Sequence, residues 1–230
     1  MKKATICCMV WLTAASAFAA LSKDEVKRLT DSVSVLNELR HSPDKGIPEP
    51  LWDKAQCVLV IPSMKKAAFV FGGEYGSGVM SCRQGDGWSA PVFMQLAKGS
   101  WGLQIGAEQV DLVLLAMNER GVEKLLEDKV ALGADVSVTA GPVGRAASAA
   151  TDAQMSAELI SYSRAQGLFA GIDVSGGVLR PDKEADARAY GASLSARDII
   201  KGGRHVELAA SATAFVKSLG RDVTATSGRK

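Results

Sequence analysis

Glycines at 72, 73, 76 and 78 interrupt a stretch that otherwise has β-strand texture, between the apolar run Ala67 to Phe71 and the run Val79 to Cys82. Glycine has no side chain to pack and loses the most backbone freedom on folding. Four of them weaken a strand unless the backbone must twist hard, bulge or lie against another main chain. The segment therefore predicts a strand that takes a strong twist, a bulge or a close backbone approach.

The surrounding pattern fills in that sheet. Cys57 to Ile61 is a short apolar run stopped by Pro62, and Val79 to Cys82 leads through Asp86-Gly87 into Trp88, the chemistry of a hairpin. Phe93 to Ala97, Gly102 to Ala107 and Val110 to Met117 read as further strands, the last apolar enough to be covered on both faces. Ala134 to Ala140 alternates apolar and polar residues, as a half-exposed strand does. Strands are also expected over 157–164, 168–174 and 178–180.

Helices bracket this region. Ser22 stands three residues before Glu25, the spacing of a capping box, and Val26, Leu29, Val33, Leu36 and Leu39 recur at helical intervals until Pro43. A helical turn is expected near Leu51 to Gln56, a helix over 119–129 capped by Asn118, a short helix from Pro181 to Tyr190, and a last one over 206–219. Many strands with few helices between them predict an α+β fold: a strongly twisted, mainly antiparallel glycine-rich sheet, open or barrel-like, with N-terminal and C-terminal helices.

Residues 1–19 read as a signal peptide of bacterial type, with Lys2 and Lys3 ahead of an apolar run and Ala17-Phe18-Ala19 as the cleavage signal. Residues 20–220 then form a single domain and 221–230 a tail, and the destination is the periplasm or cell envelope. Without Lys2 and Lys3 the basic and acidic residues balance at 25 each. A balanced chain has no pervasive positive field, so a nucleic-acid partner is not expected and attraction to phosphate must come from a local patch. Of four cysteines only Cys57 and Cys82 lie outside the leader, and in an oxidising compartment they are either one disulfide or two half-buried thiols.

Signatures of chemistry are missing. There is no G-x-S-x-G elbow, phosphate loop, dinucleotide fingerprint or H-E-x-x-H, and His41 and His205 have no ligand cluster at metal spacing. The expectation is a non-catalytic protein without metal or cofactor, with an unrecognised hydrolase as the outlying alternative.

Four separated segments, Ala67 to Val79 (AAFVFGGEYGSGV), Gly87 to Pro91 (GWSAP), Gly133 to Arg145 (GADVSVTAGPVGR) and Tyr162 to Gly171 (YSRAQGLFAG), resemble the SYLF-domain family in its own order. The resemblance runs from about Val26 to Gly191. It implies phospholipid binding, phosphatidylinositol lipids in eukaryotic members, without established catalysis. Members are secreted or envelope proteins in bacteria and, in eukaryotes, stand beside Src-homology-3 or FYVE modules.

The expected partner is an anionic phospholipid or membrane surface, and a protein partner stays unspecified; a structural or protein-interaction module is the alternative. Lys65 and Lys66, read as a turn beside Met64, are candidate headgroup contacts. Arg145 matches the G-P-x-G-R motif of the family, where a guanidinium can fork onto phosphate. Arg164 is a weaker addition. Val26, Leu29, Val33 and Leu36 form an apolar stripe that either packs on the core or contacts a membrane.

Overall fold

The computed structural model describes residues 21–40, 46–68, 71–101, 106–142, 156–165, 168–202 and 208–220. In chain order these form α1 (Lys23–Arg40), α2 (Glu49–Lys54), β1 (Cys57–Ala68), β2 (Phe71–Gln84), β3 (Gly87–Trp88), β4 (Val92–Trp101), β5 (Gly106–Ala116), α3 (Glu119–Leu125), β6 (Val130–Ala131), β7 (Val138–Ala140), β8 (Leu159–Ala165), β9 (Leu168–Gly171), β10 (Gly177–Pro181), α4 (Lys183–Tyr190), α5 (Ala196–Lys201) and α6 (Ala210–Leu219). The strands make one ten-stranded sheet, ordered β6-β10-β4-β2-β1-β5-β8-β7, with β3 beside β2 and β9 beside β8. Every strand pairing is antiparallel except β7 with β8. The fold is α+β, an open and strongly curled sheet with helices at both ends of the chain.

Both faces of the sheet are covered. Cys57, Leu59, Ile61, Met64, Met80, Met94, Leu112 and Leu114 pack on one side with Leu125 of α3 and Ile199 and Ile200 of α5. Val58, Val60, Val79, Phe93, Val113 and Leu115 pack on the other with Leu29, Leu36 and Leu39 of α1 and Phe215 of α6. The alternation of one strand between two cores explains why β1 and β5 read as continuous apolar runs.

The N-terminus of α1 is fixed by its capping box. The Ser22 N–H donates to Glu25 Oε2 at 2.6 Å, and the Glu25 N–H donates back to Ser22 Oγ at 3.4 Å. Leu29 and Leu36 are fully buried and Val33 is partly buried against the same core. The stripe is thus a packing stripe, and membrane contact by Leu29 and Leu36 is corrected: only Val26, 39% exposed, stays outside.

Pro62 does not end a strand. β1 runs through it to Ala68 because an extra residue is accommodated there: Ile61 faces Leu112 of β5 and Met64 faces Val110, so two residues of β1 oppose Asp111 alone. Proline lacks the N–H a ladder needs, and a bulge is where that lack is harmless. Ser63 takes a φ of 51° to make the bend. Against this bulge the glycines of β2 supply the close approach. A Cβ at Gly78 would overlap the Val60 carbonyl, and one at Gly76 would overlap the Ile61 side chain.

Other boundaries move for local reasons. The β2–β3 turn is centred on Gly85-Asp86, with Gly85 at φ 52°, one residue earlier than Asp86-Gly87. Only Val138–Ala140 of the alternating 134–140 stretch joins the sheet, because Gly133 turns the chain at φ 85° and β7 pairs with β8 over three residues. Part of the expected 206–219 helix lies outside the described residues, as do residues 1–19 and 221–230.

Cys57 and Cys82 are register partners on β1 and β2, buried in the core and joined by a disulfide. The bridge closes a loop of 25 residues in sequence separation. Chain entropy alone then gives it about 3 kcal/mol of stabilisation. The paired Cys57→Ala, Cys82→Ala variant should lose about that amount in urea denaturation, and an unchanged midpoint would refute the estimate.

Candidate functional site

The bulge in β1 sets the chemistry of one end of the sheet. The Ser63 N–H donates to Asp111 Oδ1 at 2.8 Å, and Arg164 of β8 donates from Nε to Asp111 Oδ2 at 2.6 Å while also pairing with Glu38 of α1. Burial pushes the Asp111 carboxyl above its ordinary value, with the Ser63 N–H opposing. Arg164 is therefore held by two carboxylates, clamping bulge, sheet and helix, and its guanidinium is committed inside the protein.

Past the bulge Lys65 and Lys66 lie in strand rather than in a turn. Lys65 is exposed, with Tyr75 of β2 and Gln109 of β5 as its register partners. Tyr75 is the largest exposed apolar side chain among the described residues, at 48%. Lys66 has Glu74 on one side and Glu108 on the other, and Glu74 in turn faces Lys98 of β4. One row across four strands thus alternates Lys98, Glu74, Lys66 and Glu108. Sequence showed two adjacent lysines; it could not show the carboxylates that sheet pairing brings beside the second of them.

Arg145 lies outside the described residues, but the motif leading to it is built into the core. Gly141 follows β7 and packs so closely on Tyr162 of β8 that a Cβ there would overlap the ring. Gly171, at the end of β9, backs onto the main chain of Gly141 with the same lack of room. The Tyr162 hydroxyl donates to the Pro142 carbonyl at 3.3 Å. Two of the segments that carry the family resemblance are thus one packing unit, and their glycines serve contact between backbone and ring.

A buried ionic cluster at the junction of α1 and α4 escaped the sequence reading. Glu25, fully buried, accepts from Arg188 Nε at 2.6 Å, and Asp182 accepts from Arg28 at 2.6 Å. Asp186, 2% exposed, accepts the Phe93 N–H at 2.9 Å through Oδ1 and has no partner at Oδ2. Burial above all pushes its carboxyl up to about 7, with the Phe93 N–H opposing and neighbouring Asp182 adding.

A polar cleft of about 620 Å³ is lined by Asn118, Arg120, Asp135, Ser137 and Glu158. Glu158 there accepts from the Ser137 N–H at 2.6 Å and pairs with Arg120 at 2.6 Å. Hydrogen bonding to Ser137, against the cost of burial, holds its carboxyl below the ordinary value. Among the described residues no group of three or more His, Cys, Asp and Glu is placed to hold a metal ion, and no helix is long and apolar enough to cross a membrane.

The fold and the motif packing define a class, a curled-sheet domain whose distinctive glycines build backbone contacts. A family profile described as Las17-binding protein actin regulator, Ysc84, matches residues 97–222, and the chain belongs to that family, the one that carries the SYLF domain. The chain is 37% identical over 163 residues to LAS seventeen-binding protein 3 of Saccharomyces cerevisiae, covering 69% of this chain and 35% of that protein. It is 36% identical over 163 residues to Protein YSC84 of the same yeast. It is 33% identical over 184 residues to the human SH3 domain-containing YSC84-like protein 1, covering 78% of this chain and 54% of that one. The match therefore spans about a third of the yeast relatives and about half of the human one.

Proposed function

We propose that this chain is a non-catalytic phospholipid-binding domain, exported to the bacterial cell envelope by residues 1–19. The observation that carries the lipid reading is the exposed sheet end past the bulge, where Lys65 and Tyr75 stand side by side in register with open solvent around them. An ammonium beside an aromatic edge suits the boundary between headgroup and acyl chain. The Cys57–Cys82 bridge supports the export reading, since such bonds persist in oxidising compartments.

The contacts assigned are Lys65, Lys66 and Arg145; Arg164 is left out because Asp111 and Glu38 hold it. Each cation near an anionic surface contributes about 1 kcal/mol. The triple variant Lys65→Gln, Lys66→Gln, Arg145→Gln should therefore lose on the order of 3 kcal/mol of affinity for phosphatidylglycerol vesicles. Glu74→Gln removes a repelling charge from the same end and should strengthen binding by about fivefold. Vesicle sedimentation with folding checked by circular dichroism measures both, and wild-type sedimentation by the folded triple variant would overturn the assignment.

A second reading, a module that docks a protein, is favoured by the family description and by the name of the yeast relative, a Las17-binding protein. Failure of the protein to sediment with any vesicle would give that reading precedence.

A further inference from the structure

Among the described residues one buried side-chain polar atom lacks a hydrogen-bond partner, and it belongs to a residue in the wall of a cavity. The cavity, of about 530 Å³, lies between the start of α4, the connection that follows α4, α5 and the segment after α3. Leu126, Pro181, Ala187 and Leu194 give it apolar walls. Its charged groups are Asp128, Asp186 and Asp198 against Lys183 and Arg197, an excess of one carboxylate. The others are engaged within the protein. Asp128 pairs with Lys183 at 2.8 Å, Arg197 pairs with Glu123 of α3, and Asp198 Oδ2 accepts from the Ser195 hydroxyl at 2.6 Å. Asp186 accepts the Phe93 N–H through Oδ1 and leaves Oδ2 unbonded.

We infer that this cavity is a binding site for a small organic cation, a primary ammonium on a short aliphatic stem that pairs with the Asp186 carboxylate. The charges on the far side of Asp186 ask for the same ligand. Glu25 and Arg28 of α1 face it, with Asp182 at the cap of α4 and Arg188 and Tyr190 along that helix. Two guanidiniums there already match two carboxylates, so an ionised Asp186 is one negative charge in excess. A buried carboxylate without a partner is costly, and a cation that donates to it removes both the excess charge and the missing hydrogen bond. A bare metal ion does not fit, because among the described residues no three His, Cys, Asp or Glu side chains are placed together to hold one. A quaternary ammonium has no N–H to donate. The apolar walls suit an aliphatic stem, and the volume falls in the range of small-molecule sites. The site is separate from the sheet end assigned to lipid, and the two stand or fall independently.

The test titrates the full chain with butylammonium chloride, following the amide signals of Ala187 and Leu194 by nuclear magnetic resonance and the heat of binding by calorimetry. Burial pushes the Asp186 carboxyl up to about 7, whereas an alkylammonium keeps its charge to about pH 10, as lysine does. Affinity should therefore be at least about tenfold higher at pH 8 than at pH 5.5, following the ionised fraction of Asp186. At about pH 6 each bound ligand should displace the carboxyl proton to the buffer, read as a dependence of the heat on the ionisation enthalpy of the buffer. Butanol and butyltrimethylammonium should bind about tenfold more weakly, since one lacks the charge and the other the N–H. These comparisons use wild type alone and decide the matter even where a variant fails to fold. Asp186→Asn should lose about tenfold in affinity at pH 8 together with the proton release, and Ala187→Leu, which fills the cavity and leaves Asp186 in place, should block binding. Circular dichroism checks the fold of both. No binding of butylammonium at pH 8, equal binding by butanol, or equal binding by folded Asp186→Asn or Ala187→Leu would overturn the site.

Discussion

Replacing Tyr162 with alanine is expected to remove about 3 to 5 kcal/mol of stability, enough to leave many domains of this size unfolded. The ring is fully buried on β8, next to the end strand β7, on the face covered by α1 and α6. It also fills the space left by the missing side chain of Gly141, and burial pushes its phenol well above the ordinary value, so it stays neutral. Tyr162→Phe should cost only about 1 kcal/mol, the bond to the Pro142 carbonyl. Gly141→Ala should cost about 1 to 3 kcal/mol because the new methyl must displace the ring. Combined with Tyr162→Leu, a smaller side chain, the same glycine substitution should cost at least 1 kcal/mol less than it does alone, since the two residues share one space. Urea denaturation of Gly141→Ala, Tyr162→Leu and the double variant measures this, and strict additivity between Gly141→Ala and Tyr162→Leu would refute the shared packing unit. The result bears on function because Pro142 leads directly to the segment that carries Arg145.

Local chemistry was legible wherever it was sufficient. Ser22 and Glu25 announced α1 and its apolar stripe, and the glycines of 72 to 78 announced a strong twist, a bulge or a close approach, of which the contact of Gly76 and Gly78 with the bulged β1 is one. Pro62 misled because its usual effect, loss of a ladder bond, is cancelled by a bulge that only the pairing with β5 reveals. The helix α5 carries its own capping box, Ser195 with Asp198, yet six residues are too few to show a helical period. The candidate site was legible as isolated cations. What those cations face is decided by other elements of the fold: Glu74 and Glu108 in register beside Lys66, and Asp111 and Glu38 around Arg164. Charge at a position is written in the sequence, but the charge that stands opposite it depends on register, and Gly141 and Gly171 of the family motifs report packing.

The protein should lose stability as pH rises from about 4 to about 7, and Asp186→Asn should abolish most of that loss. In the unfolded chain this carboxyl titrates at its ordinary 3.8, whereas in the folded protein it is pushed up to about 7. Between those values the folded state holds a proton that the unfolded state has released, so stability falls as pH rises and levels off above the folded value. A shift of about 3 units corresponds to on the order of 4 kcal/mol across the window. Burial sets the sign, and the charges that face the carboxyl modulate it. Glu25 and Arg28 come from α1, Asp182 and Arg188 from the start and the middle of α4, and Tyr190 lies further along the same helix. With Asp186 protonated, two carboxylates balance two guanidiniums; ionised, it adds a third buried negative charge whose Oδ2 has no hydrogen-bond partner. Asparagine keeps the acceptor for the Phe93 N–H and carries no charge at any pH. Thermal or urea unfolding at pH 5 and pH 8 should therefore show the variant well above wild type at pH 8, with a much smaller gain at pH 5. Parallel pH profiles for the two proteins would show that Asp186 is ionised throughout and that the cluster at the α1–α4 junction tolerates its charge.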